Sequence, residues 1–175
     1  MLIREAGAGD LPGILTIYND AVRNTLAIWN ETEVDLDNRR AWLADHVRLG
    51  YPVLVAVEDA KDAAQAEQVL GYATFGDWRA WEGYRYTVEH SVYIHRDARG
   101  HGLGAALMRP LIERAAAIGK HVMVAGIEAS NEASLRLHER LGFQRVGHLP
   151  EVGIKFGRWL DLAFLQLMLA SDKKA

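Results

Sequence analysis

Apolar and polar positions alternate along this chain in blocks whose period changes, and the changes mark its elements. Leu2–Arg4 reads as a short strand. Asp10 stands where a helix cap belongs, Pro12 falls in the first turn, and Leu11, Ile14, Leu15, Tyr18 and Val22 make one apolar face. A second helix is predicted over Asp35–Leu49, with Leu36, Trp42, Leu43 and Val47 in helical spacing and Gly50 as its stop. Pro52–Val57 and Val69–Phe75 read as strands. Between them, Glu58–Gln68 is polar and Ala-rich, which suits a hairpin connection or a loose helical turn.

Gly76–Gly83 is a Gly-bounded loop carrying two tryptophans, and Tyr86–Ile94 alternates as a strand. The next helix, Gly102–Gly119, buries a stripe of Leu103, Leu107, Leu111, Ala115 and Ile118; Pro110 removes one of its backbone bonds and predicts a kink. His121–Ile127 is a buried-type strand, and Asn131–Leu141 a helix stopped by Gly142. Phe143–His148 and Arg158–Leu169 are the last strands, joined through Pro150 and Gly153. The order β-α-α-β-β-β-α-β-α-β-β argues a mixed α/β (α+β) sheet in a single domain over residues 1–175.

Composition narrows the function classes. A chain of 175 residues buries about 70% of its unfolded surface, enough for a real core. With 20 Lys+Arg against 23 Asp+Glu the net charge is −3, which argues against a protein that works by neutralising nucleic-acid phosphates. Cysteine is absent, so disulfides, thiolate nucleophiles and Cys-type zinc sites are excluded. His46, His95, His121 and His148 lack metal-ligand spacing, so no metal is expected. The charged N-terminus does not read as a signal peptide, and no run reaches the ~20 apolar residues of a membrane span. A cytoplasmic protein with no membrane partner is expected.

The densest chemistry lies in Ser91–Leu107, where a strand ends, a basic Gly-rich turn follows and an amphipathic helix begins. Unpaired N–H groups at such a helix start, with glycines that let an anion approach, make a phosphate site. Gly100-x-Gly102-x-x-Ala105 matches the dinucleotide fingerprint, with Glu128 downstream. That fingerprint needs its first glycine directly after the strand, and here His95–Arg99 intervene. Arg99, Gly102 and Gly104 fill a second pattern, [QR]-x-x-G-x-[GA]. Further on, Asn131, Ser134, His138, Gly142 and Phe143 fill N-x-x-S-x-x-x-[YH]-x-x-x-G-[FY], with the first three on one helix face.

On these two signatures the chain resembles the GNAT superfamily of acyl-CoA N-acyltransferases, and the element order agrees along nearly its whole length. Gly76–Arg79, Thr87–Tyr93, Ile28–Glu31 and Lys155–Asp161 resemble the branch that N-acetylates phosphinothricin, methionine sulfoximine and methionine sulfone. The resemblance implies acetyl-CoA as co-substrate, held by Val92, Tyr93, Ile94, Arg99, Gly100, His101, Gly102, Leu103, Gly104, Ala105, Asn131 and Ser134. Val92 and Ile94 would hold the pantetheine arm through backbone groups, one N–H polarising the thioester carbonyl.

An amino acid's amine must lose a proton to attack, at a cost of about 2.7 kcal/mol near neutral pH. Glu89 is the expected base, directly or through a water. On an ideal strand it shares a face with Thr87, Ser91 and Tyr93, opposite Val88, His90 and Val92, although the resemblance implies a bulge nearby. His138 stands where most of the family has a proton-donating tyrosine; it could protonate the departing thiolate or share base duty with Glu89. Arg79, Ala80, Trp81, Glu89, His90 and Ser91 are the expected acceptor contacts, Arg79 as a clamp for the carboxylate. Tryptophan at 81, where phosphinothricin-acetylating members place a basic residue, suits an uncharged sulfone or sulfoximine head. Trp29, Trp42 and Trp159 are expected in core or interface, Trp159 with Leu160–Leu169 supplying part of the homodimer contact the resemblance implies. The rival readings are acetylation of a different amine and a non-catalytic CoA-binding module.

Overall fold

The computed structural model describes residues 1–58 and 67–169, and over these the chain forms strands and helices in the expected order. They are β1 (Leu2–Glu5), α1 (Leu11–Asn24), α2 (Leu36–Leu49), β2 (Val53–Val57), β3 (Val69–Asp77), β4 (Thr87–Ile94), α3 (Leu103–Ala117), β5 (Val122–Glu128), α4 (Glu132–Arg140), β6 (Gln144–Lys155) and β7 (Arg158–Met168). The strands make one seven-stranded sheet, ordered β1-β2-β3-β4-β5-β7-β6. Every neighbouring pair is antiparallel except β4 and β5. Most of the stretch expected as a connection over Glu58–Gln68 lies outside the described residues.

β2 shows why the sheet sits inside two helical layers. All five of its residues are buried, and they alternate between two cores. Val53, Val55 and Val57 pack with Leu11, Ile14 and Ile17 of α1. Leu54 and Ala56 pack with Leu103, Leu107, Met108 and Leu111 of α3, and Leu135 of α4 joins the same cluster. Local signals set the helix ends. Asp35 accepts the Asn38 N–H at 2.8 Å to cap α2, and Gly50 ends it at φ 71°. Asp10 precedes α1 but caps no helix amide; its carboxylate takes Arg4 at 2.8 and 2.9 Å and the Gly7 N–H at 2.7 Å.

Several sequence expectations change. Ile118 is 48% exposed rather than in the buried stripe, as the residue just past the end of α3, and Val47, near the end of α2, is 72% exposed. In α1, Leu15 and Tyr18 are only half-buried, while Ile17 and Ala21 go inward. α3 continues as one helix through Pro110. Pro150 and Gly153 do not link two strands: β6 runs through both, shifting register between Arg145 and Gly147 and between Leu149 and Gly153. An edge strand tolerates proline and bulges, since one side has no ladder to break. The hairpin turns instead at Phe156 and Gly157, with φ 50° and 70°. Trp29 lies against Gly153, where a Cβ would come within 2.1 Å of its ring. Trp42 packs on the α1 core, and Trp159 is 64% exposed.

Candidate active site

The sheet opens at its centre. β4 and β5 pair only at Thr87↔Val122, Val88↔Met123 and Glu89↔Val124. Beyond Glu89, β4 continues along β3 to Ile94, while β5 continues along β7 to Glu128. The two therefore diverge. Trp78 N–H donates to the Thr87 carbonyl, and His95 N–H donates to the Leu70 carbonyl. The alternation of an antiparallel ladder then points the odd-numbered residues of β4 at β3 and the even-numbered ones at β5. Past Glu89, the backbone groups of His90, Val92 and Ile94 thus face the opening. β4 pairs with β3 residue for residue from Asp77↔Val88 to Gly71↔Ile94, so the implied bulge is not there. The expected facing follows: Val88, Val92 and Ile94 lie on the α3 side, and Tyr93 packs toward α1.

The opening is a cleft of about 1010 Å³. At one end lies the Gly-rich turn. Gly100 and Gly102 have φ of 83° and 78°, conformations that side chains resist, and α3 starts immediately after them. The first turn of this 15-residue helix offers its free N–H groups to an anion. Arg99, Gly100, Gly102, Leu103, Gly104 and Ala105 all line the cleft, and so do Val92, Tyr93 and Ile94 on β4. Asn131 and Ser134 line it from α4, where the Asn131 side chain caps the helix by accepting the Ser134 N–H at 3.1 Å. His101 alone of the expected cofactor residues does not line it.

The turn also has a partner that the sequence did not reveal. Asp20 of α1 accepts a short hydrogen bond from Arg96 and lies 3.6 Å from the Arg99 guanidinium. Burial pushes the Asp20 carboxyl up, but the Asn24 hydrogen bond and the two arginines outweigh it and hold it below its ordinary value. The basic turn is thus balanced by a carboxylate of α1.

At the other end stands Glu89, half-buried and lining the cleft with His90 and Ser91. Burial raises its pKa, and the charge of Arg79 offsets part of that rise. Its carboxylate leans over Gly126 of β5, whose Cβ, if it had one, would come within 2.9 Å of Oε1. Arg79, Ala80 and Trp81 do not line the cleft. The Arg79 guanidinium lies over the Trp78 ring at 4.8 Å, and Trp81 is 71% exposed.

His138 is buried beneath the same end and paired with His90. Their rings stack at 4.8 Å, with the Nε2 atoms 3.1 Å apart. His138 Nδ1 lies 2.7 Å from the Ser134 carbonyl, which can only accept, so that nitrogen carries the proton. The Nε2 of neutral His138 must then accept from His90 Nε2–H, which leaves His90 Nδ1 buried and without a partner among the described residues. Burial lowers both pKa values; for His90 the nearby His138 charge adds to it, and for His138 the Ser134 bond opposes it. Both rings are therefore neutral at pH 7. Among the described residues no group of three or more His, Asp or Glu side chains is placed to hold a metal, and no helix is long and apolar enough to cross a membrane.

Residues 14–143 match the acetyltransferase (GNAT) family. The chain is 62% identical over 173 residues to the L-methionine sulfoximine/L-methionine sulfone acetyltransferase of Pseudomonas aeruginosa, covering 99% of this chain and 97% of that protein. It is 38% identical over 165 residues to the phosphinothricin N-acetyltransferase of Streptomyces coelicolor, covering 94% of each. An acetyltransferase of Salmonella typhimurium, solved with its cofactor acetyl-CoA, superposes with a TM-score of 0.92 at 53% identity, over 100% of this chain and 97% of that one.

Proposed function

The chain belongs to the GNAT acetyltransferase family, and from that premise we propose that it moves the acetyl group of acetyl-CoA to the α-amine of a small amino acid, by direct attack in a ternary complex. One observation carries this: a single cleft joins an anion-binding turn to a half-buried carboxylate along a strand with open backbone groups. Gly100, Gly102, Leu103, Gly104 and Ala105 would hold the pyrophosphate through their N–H groups, beside Arg99. The pantetheine amides take the backbone groups of Val92 and Ile94, and the thioester then reaches the level of Glu89. Acceptor preference follows the relatives: methionine sulfone and sulfoximine ahead of phosphinothricin, in keeping with 62% against 38% identity. Trp81 does not line the cleft, so this preference rests on the relatives.

Glu89 takes one proton of the acceptor's ammonium, and the freed nitrogen forms its bond to the thioester carbon as the C–S bond breaks. The sulfur leaves with the bonding pair and takes up the second proton that the nitrogen sheds, giving the amide and the free thiol. A neutral histidine pair cannot hand a proton to the departing sulfur without first receiving one. A thiolate is a good leaving group and can take up the proton shed by the new amide nitrogen, so the step does not require a donor from the histidine pair. We therefore give the base to Glu89 and to His138 a neutral part that shapes the cleft floor. Acetylation removes the charged amine by which such an analogue mimics an amino acid, which is the chemistry of detoxification, and its co-substrate suits the cytoplasm. Val146, Val152, Ile154, Phe156 and Trp159 stand 49–64% exposed on the β6–β7 hairpin, a face that a homodimer would cover.

The test is a CoA-release assay across methionine sulfone, methionine sulfoximine and phosphinothricin, on wild type and Glu89→Gln. The variant should lose about 10²–10⁴-fold in turnover and keep its acetyl-CoA affinity. Unchanged turnover removes Glu89 as the base, and a higher kcat/KM for phosphinothricin refutes the acceptor preference.

A further inference from the structure

Gly126 has no conformational reason to be glycine. It lies inside β5, paired with Phe164 of β7, and it is not among the residues with positive φ. A strand interior of that kind favours a side chain, and glycine there weakens it. What surrounds the missing Cβ gives the reason. Leu162 Cδ1 and Phe164 Cε1 would each lie 3.7 Å away, an ordinary contact. Glu89 Oε1 would lie 2.9 Å away, closer than a Cβ tolerates. The carboxylate of Glu89 therefore fills the volume that a side chain at 126 would take.

The place in the fold matters as much as the distance. Gly126 is two residues past Val124, the last residue of β5 to pair with β4, and so stands where the strands begin to part. Both Gly126 and Glu89 line the cleft. We propose that Gly126 is a positioning residue: the space it leaves on β5 seats the Glu89 carboxylate across the mouth of the β4–β5 opening, facing the reacting amine. The inference rests on Glu89 being the base, and its test separates the two ideas.

The experiment is a double-mutant cycle on the full chain with Gly126→Ala and Glu89→Gln, reading kcat, acceptor KM, acetyl-CoA Kd and melting temperature. The added methyl meets only the far end of a flexible side chain. Gly126→Ala should therefore fold, melt at or above the wild-type temperature and bind acetyl-CoA unchanged, while kcat falls at least tenfold as the carboxylate is turned out of its seat. In the Glu89→Gln background the same substitution should change kcat less than twofold. An equal loss in both backgrounds would show that Gly126 acts through something other than Glu89. No loss in either background, with Glu89→Gln itself slow, would overturn the seat and leave the base standing. A fully active Glu89→Gln would overturn both. A Gly126→Ala chain that fails to fold would refute the premise that only the carboxylate is in the way.

Discussion

Replacing Lys155 by methionine removes a cation and keeps most of its hydrocarbon stem, so the packing change is small. The Lys155 side chain has no exposed surface. Its ammonium donates to the carbonyls of Ile28 at 2.5 Å and Thr25 at 2.7 Å, and more weakly to that of Ala21 at 3.4 Å. The Ala21 carbonyl also accepts the Thr25 N–H at 3.2 Å and the Thr25 hydroxyl at 2.9 Å, whereas those of Thr25 and Ile28 lie past the last residue of α1 and depend on Lys155. A buried carbonyl left without a donor costs about 1–3 kcal/mol, so the two short contacts set a gross loss of roughly 2–6 kcal/mol. Against that, methionine spares the desolvation of an ammonium, the same burial that lowers the pKa of Lys155. We expect a net loss of about 2–4 kcal/mol, and at about 2–4 °C per kcal/mol for a domain of this size the melting temperature falls by about 4–16 °C. Thermal unfolding followed by circular dichroism measures it. Function should move too, since Thr25, Leu26 and Ala27 line the cleft: the acceptor KM rises. A melting shift under about 2 °C would mean that the carbonyls find other donors. An unchanged acceptor KM would refute the coupling of the hairpin to the cleft wall.

The histidine pair makes stability depend on pH. Both folded pKa values lie below the ordinary 6.5, so as pH falls below 6.5 the unfolded chain binds protons that the folded one refuses. Stability is then complete above that window and drops within it, by up to about 1.4 kcal/mol per pH unit for each ring. Urea midpoints between pH 5 and 7 should fall less steeply for His90→Gln than for wild type, and an identical slope would refute the neutral pair. Gly102→Ala puts a side chain at φ 78° with nothing within 4 Å of its Cβ, so the cost is conformational, about 1–2 kcal/mol. Calorimetry should show acetyl-CoA binding weakened roughly tenfold as the turn relaxes; an unchanged Kd would show that the left-handed backbone is not needed there.

The fold was largely legible because its two cores are written as separate periods. The valines of β2 at odd positions and the stripe of α3 each carry a face that buries, and Asp35, Gly50, Asn131 and Gly142 mark ends by local chemistry. What misled was the edge. Pro150 reads as a break wherever both sides of a strand must be paired, but β6 is the outermost strand, where a proline costs no ladder bond. Ile118 and Val47 keep helical spacing at the ends of their helices, yet both stand exposed. Periodicity records which face turns inward and says nothing about how far the neighbouring layer extends.

The site divides in the same way. The Gly-rich turn and the Asn131–His138 helix face are each contiguous in sequence, so a local pattern and a family resemblance could point to them. Asp20 against Arg96, Gly126 under Glu89, His90 against His138 and Lys155 under the Thr25–Ile28 segment each join residues from elements far apart in the chain, and no local pattern records such a meeting. The cleft itself comes from a pairing that stops: three residues of β4 meet β5, and the rest diverge. Divergence leaves the backbone groups of His90 and Val92 and the Ile94 N–H facing the cleft without a strand, while the Ile94 carbonyl accepts from Arg99 Nε at 3.2 Å. β3 and β7 hold the two strands from outside, so the sheet survives the gap. On the proposed reading the amides of the pantetheine arm supply the missing ladder, and the unpaired backbone that weakens the free protein is what gives the cofactor its direction toward Glu89.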